Sequence, residues 1–223
     1  MNPEIKRTLD GSDTLFVPEL NEHYHSTFGA VQESMHVFIK TGLMAVDPGV
    51  DPVHVFEVGF GTGLNALLTD LAAKTHRRKI SYSSIELHPL ESTILKKLNY
   101  VSFLPEADTG AEFDRIHDAP WEVPFQANPY FRITKLKRDL RSYEPSDQLY
   151  DIVYFDAFAP DVQPELWTVP VFEKLFRMLR QKGLLVTYSC KGQVKRDLRE
   201  AGFFIEKIPG PPGKREILRA HKK

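Results

Sequence analysis

From Val53 onward, short apolar runs alternate with stretches of helical periodicity, and this alternation is the strongest constraint on the fold. The runs VHVFEV (53–58), ISYSSIE (80–86), FRITKL (131–136), DIVYFD (151–156) and GLLVTYS (183–189) read as strands buried on both faces. Such strands pair in parallel and need helical crossovers that cover both sides of the sheet. Helices are predicted between most of them, notably after Gly63 and over VPVFEKLFRMLR (169–180). Two further runs, FFIEKI (203–208) and KREILRA (214–220), are joined by PGPPG alone. That link is too short for a parallel crossover, so the sheet is expected to end in an antiparallel hairpin. The predicted class is α/β, with a mostly parallel seven-stranded sheet.

Residues 1–50 read as an extension packed on this core, and 51–223 as the main domain. IKRTLDGSDTLFVPEL carries two extended runs about Asp10-Gly11, the pattern of a hairpin. Val31, Met35, Phe38 and Ile39 recur at helical spacing before Gly42, after a His-rich loop. Residues 99–129 break the pattern, with Pro105, Pro120, Pro124, Pro129 and Trp121 in one stretch. They are expected to form an irregular insertion, either a lid facing substrate or a packed connection.

Composition excludes several classes. Hydrophobic residues at 42% and charged residues at 26% are globular values, and no apolar run reaches membrane-spanning length. The polar start, MNPEIKRTLDGSD, lacks the apolar core of a secretory signal, which predicts a cytoplasmic protein. The one cysteine, Cys190, has no partner for a disulfide or a Cys-based metal site. His23 and His25 lack an evident third ligand, so no metal is expected. The net charge of −1 conceals an asymmetry: residues 1–128 hold 10 Lys and Arg against 18 Asp and Glu, whereas 129–223 hold 19 against 12. A basic half suits a polyanion, although solvated helix faces give similar imbalances. Nothing in the sequence fixes the oligomeric state.

The chemistry concentrates at strand ends. In Glu57-Val58-Gly59-Phe60-Gly61-Thr62-Gly63-Leu64-Asn65 the glycines allow a tight turn and close backbone approach to a ligand, ahead of a helix N-terminus. A dinucleotide fingerprint would place its third glycine three residues after the second. The observed G-x-G-x-G after an acid is the form used for S-adenosyl-L-methionine, and Glu57 is a candidate to orient that ligand's ammonium directly or through water. Glu86, ending the second main strand, is placed to accept bonds from two ribose hydroxyls. Asp139 is a candidate contact for the adenine amino group, or else a helix cap. Asp156, in Asp156-Ala157-Phe158-Ala159-Pro160, ends the fourth main strand, where open α/β sheets bind ligands. A carboxylate there could capture an amine, align it and relay its proton. A Rossmann-like core closed by an antiparallel pair is, by analogy of fold, the class I methyltransferase arrangement.

EVGFGTGLNALL, SIELHPL, DIVYFDAFAPDVQPELW and GPPGKREIL together resemble the methyltransferase part of the MnmC family and its stand-alone relatives. The likeness runs from about Phe28 to Leu218. Members of that family methylate 5-aminomethyl-(2-thio)uridine at the tRNA wobble position. The resemblance implies that Gly59, Phe60, Gly61, Thr62, Gly63, Asn65 and Glu86 bind S-adenosyl-L-methionine. It further implies that Asp156, with Phe158 and Pro160, faces the substrate amine. Glu33, in a G-x-x-x-E element, falls near the methyl-donor pocket, or is a solvated helical acid. Lys214 and Arg215, with Lys191, Lys195 and Arg196, become the candidate tRNA-backbone surface. No flavin-dependent oxidase part follows Lys223, so the aminomethyl substrate is expected to be made elsewhere. Two other readings stay open: a methyltransferase acting on a small amine or protein, and a noncatalytic nucleoside-binding module.

Overall fold

The computed structural model describes residues 3–104 and 109–223. Strands β1 (Glu4–Arg7), β2 (Asp13–Val17) and β3 (Glu22–His23) form a small antiparallel sheet, with Glu4 opposite Phe16. The hairpin turns at Asp10, whose carboxylate accepts from Thr8, from Ser12 and from the Gln32 amide. Helix α1 (Ala30–Ser34) runs on into a wider π turn, Met35–Lys40, and ends at Thr41, whose amide bonds back to His36. Phe38 and Ile39 are buried there, as their helical spacing suggests.

Among the described residues the main sheet has eight strands, in the order β10-β11-β9-β8-β4-β5-β7-β6. The parallel core is β4 (Val53–Val58), β5 (Ile80–Ile85), β7 (Phe131–Leu136), β8 (Tyr150–Phe155) and β9 (Leu179–Thr187). The terminal pair β10 (Phe204–Pro209) and β11 (Glu216–His221) is antiparallel, as the length of PGPPG requires. The eighth strand, β6 (Phe125–Asn128), was not anticipated. It pairs antiparallel with β7 at the sheet edge, where a short run between two prolines needs few ladder bonds.

One layer of helices, α2 (Leu64–Thr75), α3 (Ser92–Leu95), α4 (Tyr100–Phe103) and α5 (Thr109–Asp118), follows β4 and β5 in the chain. Leu64, Leu67, Leu68, Phe113 and Ile116 bury one face of the sheet together with Phe38 and Ile39. On the other face α6 (Val169–Met178) and α7 (Gly192–Glu200) bury Phe172, Leu175, Val194 and Leu198. The expected irregular stretch 99–129 therefore holds two helices and a strand among its described residues; Pro105 lies outside them. Phe113 and Ile116 give α5 an apolar face that packs into the core, so it is a packed connection. No described helix is long and apolar enough to cross a membrane.

The topology places the site. Leaving β4, the chain first builds β5, β7 and β6 on one side, then returns to β8 on the other. The order reverses between β4 and β8, and at such a switch point the connecting loops part and leave a crevice. Val58 is level with both Ile85 and Phe155, so Gly59, Glu86 and Asp156 leave the sheet at one height.

Candidate active site

A cavity of about 540 Å³ opens at this carboxyl edge, within the range of small-molecule sites. Its walls include Gly59, Phe60, Gly61 and Thr62, then Glu86, Asp139 and Asp156, together with Tyr24, His25, Glu33, Phe158, Tyr188 and Lys214. The sheet edge thus brings most of the sequence-predicted residues together with side chains contributed by the N-terminal extension.

The glycine turn is forced by its surroundings. Gly59 has φ +90°, and a Cβ there would lie 2.6 Å from the Asp156 carbonyl oxygen. Gly63 has φ +75° and caps α2; a Cβ would meet the His117 ring at 2.6 Å. Packing against β8 and α5 therefore demands glycine even before a ligand is considered. Behind the turn, Phe60 packs edge-on to His117 and Trp121, and the Thr62 hydroxyl accepts from Tyr100 at 3.2 Å.

Glu86 receives the Gly61 amide on one carboxylate oxygen at 3.2 Å and the His88 amide on the other at 2.8 Å. These bonds fix the carboxylate at the cavity wall and leave each oxygen a second lone pair for a ligand's hydroxyls. Ile85, Leu87 and Leu140 supply apolar surface beside it. Asp139 also lines this end, but its carboxylate is held by Arg141 at 2.7 and 3.0 Å, which keeps it below the usual carboxylate range. It also accepts from the Arg141 amide at 2.8 Å, so bracing its own loop is its visible work.

Asp156 stands opposite Glu86, half-buried at the cavity floor. One oxygen accepts from Asn65 Nδ2 at 2.7 Å. Burial pushes its carboxyl up to about 7, against the pull of the Asn65 hydrogen bond; Glu33 raises it further and Lys214 lowers it. Phe158 packs edge-on to Tyr24, with ring centres 4.9 Å apart, whereas Pro160 is not among the lining residues.

Two expectations change. Glu57 is wholly buried beneath the turn and does not line the cavity; its carboxyl accepts from Ser84 at 2.6 Å, and burial raises it to about 8. Strand alternation turns it to the face that α2 covers, beside Asn65 and Ser84 and below the cavity wall, so a bridging water rather than direct contact is the route this position leaves to a ligand's ammonium. Lys214 is not a free surface cation: it pairs with Glu33 and lies 4.2 Å from the centre of the Tyr188 ring, inside the cavity. Glu33 is correspondingly buried, and also accepts from the Ser26 amide at 2.9 Å. Arg215 remains exposed on the turn before β11, and Lys191 pairs with Asp161.

Tyr24 and Tyr188 were not singled out in the sequence, and His25 was weighed there only as a metal ligand. Tyr188 follows β9 at the carboxyl edge and donates to the Ala157 carbonyl at 2.8 Å, a position that could have been read from strand order. Tyr24 and His25 come from the His-rich loop, and only the packing of the extension brings them over the site. Burial lowers His25 to about 4, so its ring is neutral at physiological pH.

S-adenosyl-L-methionine fits these features: a glycine-rich turn that allows close approach, an anchored carboxylate with lone pairs to spare, an adjacent apolar wall and sufficient volume. When bound, it supplies an electrophilic methyl group on a sulfonium.

Comparison with known proteins agrees. A model of the S-adenosyl-L-methionine-dependent methyltransferase family matches residues 131–223. The tRNA 5-methylaminomethyl-2-thiouridine biosynthesis bifunctional proteins MnmC of Burkholderia multivorans and Paraburkholderia xenovorans are each 32% identical over 216 residues, covering 92% of this chain and 33% of theirs. The chain thus spans about a third of the length of these relatives. The crystal structure of MnmC2 from Aquifex aeolicus superposes with a TM-score of 0.79 at 24% identity, over all of this chain and 70% of that one. Spermidine synthase from Thermotoga maritima shares the fold at a TM-score of 0.57 and 11% identity, over all of this chain and 79% of that one. Over residues 131–223 the chain is similar to the S-adenosyl-L-methionine-dependent methyltransferase family, and its likeness to the MnmC proteins covers about a third of their length.

Proposed function

We propose that this chain methylates the exocyclic amine of 5-aminomethyl-(2-thio)uridine at the wobble position of tRNA, in the cytoplasm. The observation that carries the reading is Asp156, a carboxylate at the cavity floor across from Glu86 and the glycine turn, with an aromatic wall of Tyr24, Phe158 and Tyr188 around it. The similarity to the bifunctional MnmC proteins supports the tRNA nucleoside as acceptor. In this reading Glu86 holds the donor's ribose, and the Gly59 to Gly63 turn lies along its amino-acid end. Asp156 draws the acceptor in as an ammonium, aligns its nitrogen with the methyl carbon and takes up the proton that must leave before the lone pair can attack. Tyr24 and Phe158 flank the uracil ring, and the extension 1–50 closes the cavity over both ligands. Arg215, Lys195 and Arg196 contact the tRNA backbone outside it. The test is incubation with labelled S-adenosyl-L-methionine and hypomodified tRNA, followed by mass spectrometry of the wobble nucleoside. One added methyl on 5-aminomethyluridine is the expected result; methyl transfer only to small amines or protein in a tRNA-free extract would overturn the reading.

A further inference from the structure

Three side chains meet inside the cavity in a way the proposed mechanism does not use. Lys214, on the turn before β11, sends its ammonium inward to the Glu33 carboxylate, and Nζ lies 4.2 Å from the centre of the Tyr188 ring. Both partners are anchored independently of it. Glu33 also accepts from the Ser26 amide at 2.9 Å, and its side chain is 10% exposed. Tyr188 donates its hydroxyl to the Ala157 carbonyl at 2.8 Å and packs edge-on to Trp167, with ring centres 6.0 Å apart. An anionic oxygen and an aromatic face, held by contacts in which Lys214 takes no part, make a preformed site for an organic cation. Asp156 borders it: Glu33 raises that carboxyl and Lys214 lowers it, so both charges act on it across the cavity. The other arginine and lysine residues lining the cavity, among the described residues, are Arg138 and Arg141, and these are bound to Glu122 and Asp139 at the donor end.

The cation that fills this site is chemically informative. A lysine side chain ends in a methylene carrying an ammonium, the same group that an aminomethyl substituent presents. We propose that Glu33 and the face of Tyr188, beside Asp156, form the seat for the acceptor's ammonium, and that the Lys214 ammonium is an internal competitor for this seat, displaced as the aminomethyl group enters. The Lys214 side chain is 27% exposed, so its flexible four-carbon stem can swing the charge into solvent. Its backbone need not move, being held in the turn by the Lys214 amide to the Pro211 carbonyl at 2.9 Å and the Gly210 amide to the Arg215 carbonyl at 3.1 Å. Exchanging one ammonium for another keeps the charge of the cavity constant. A second cation beside Lys214 would be repelled, and Glu33 stripped of any cation would be a buried charge without a partner. The exchange also selects the acceptor, because a neutral substituent of the same size, such as a hydroxymethyl group, brings no charge with which to displace Lys214.

This inference rests on the acceptor being an aminomethyl group, and the experiment separates the two. Initial rates with hypomodified tRNA are measured at saturating donor and about pH 8.5, where alkylammonium groups keep their charge. The wild type is compared with Tyr188→Leu, Tyr188→Phe, Glu33→Gln and Lys214→Ala, with donor affinity by calorimetry as the check on folding. Tyr188→Leu is expected to raise KM about 5- to 30-fold, the range of a desolvated cation–π contact, and Tyr188→Phe, which keeps the ring, several-fold less. Glu33→Gln still accepts from the Ser26 amide but loses its charge, and KM should rise about tenfold. Propylammonium should raise the KM of Lys214→Ala, without lowering kcat, at a concentration that leaves the wild type unaffected, where it must compete with a tethered ammonium of millimolar effective concentration. The uncharged n-propanol should have no such effect. Equal losses in Tyr188→Leu and Tyr188→Phe, an unchanged KM in Glu33→Gln, inhibition of Lys214→Ala by n-propanol as strong as by propylammonium, or a Lys214→Ala enzyme that propylammonium activates or leaves unchanged, overturns the seat. A wild type that leaves hypomodified tRNA unmethylated overturns the reading of the acceptor instead.

Discussion

An ammonium is held by a carboxylate only when the carboxylate is charged, and Asp156, pushed up to about 7, is half-neutral near physiological pH. With a folded value above the ordinary one, its charged form is lost as pH falls through 7, so kcat/KM is expected to rise through that pH. Asp156→Asn should lose on the order of 10²-fold or more in single-turnover methylation while binding S-adenosyl-L-methionine nearly normally. A rate within about threefold of wild type at saturating tRNA and donor would exclude the assignment. Lys214 has the opposite local effect, since its charge lowers Asp156. Lys214→Met leaves Glu33 unpaired beside Asp156, and the limb should move to higher pH with tRNA affinity little changed, which a pH–rate series and filter binding would show. At the donor end, Glu86→Ala removes two anchored acceptor oxygens and should weaken donor binding by about 2 to 3 kcal/mol, read by calorimetry. Glu86 and Asp156 were legible in sequence because each follows a strand of clear apolar pattern. Lys214 was misplaced because a charge next to a glycine-rich turn looks solvated until Glu33 and Tyr188 are packed against it.

The glycine turn is the element on which everything else is registered. Gly59→Ala must fit a Cβ 2.6 Å from the Asp156 carbonyl at φ +90°, so β4 and β8 must part at their carboxyl ends. A loss of about 1 to 3 kcal/mol in chemical denaturation is expected, with donor affinity falling alongside. Wild-type stability in that variant would mean that the turn yields more easily than its packing suggests. The parallel strands and the terminal hairpin were readable because their apolar runs and the PGPPG link leave few alternatives. Strand β6 was hidden, since FQAN has neither length nor β-branched residues, and only pairing with β7 makes it a strand. Helix α5 was obscured by the surrounding prolines, although its buried Phe113 and Ile116 lie three apart.

For the whole molecule, buried acids set the pH dependence of stability. Glu57 and Asp156 hold protons in the folded state up to about 8 and 7, whereas the unfolded chain releases them at ordinary carboxylate values. The folded state therefore binds more protons between about pH 6.5 and 8, and stability should decline as pH rises through that window, by at most about 1.4 kcal/mol per proton per pH unit. His25 and His117, both lowered to about 4, act in the opposite sense only below their ordinary value near 6.5. Thermal melts from pH 6.5 to 8 should show the decline, and Glu57→Gln should flatten its upper half. The charge asymmetry gives a second global expectation: tRNA binding weakens steeply with salt, and reversing Lys195, Arg196 and Arg215 flattens the log-log slope without altering donor affinity. An unchanged slope would move the footprint elsewhere.

The positions of the parallel strands along the chain, the closing hairpin, the glycine turn and the acids at strand ends were fixed by local pattern, because apolar periodicity and turn length act over a few residues. What faces what was decided by tertiary structure alone. Glu57, within the turn motif, is sealed beneath it by strand alternation; Lys214, 181 residues from Glu33, becomes its partner; and Tyr24 and His25 reach the cavity through an N-terminal extension. Pairing across such separations depends on the packed sheet and helices bringing distant loops to one edge, and no local pattern encodes that meeting.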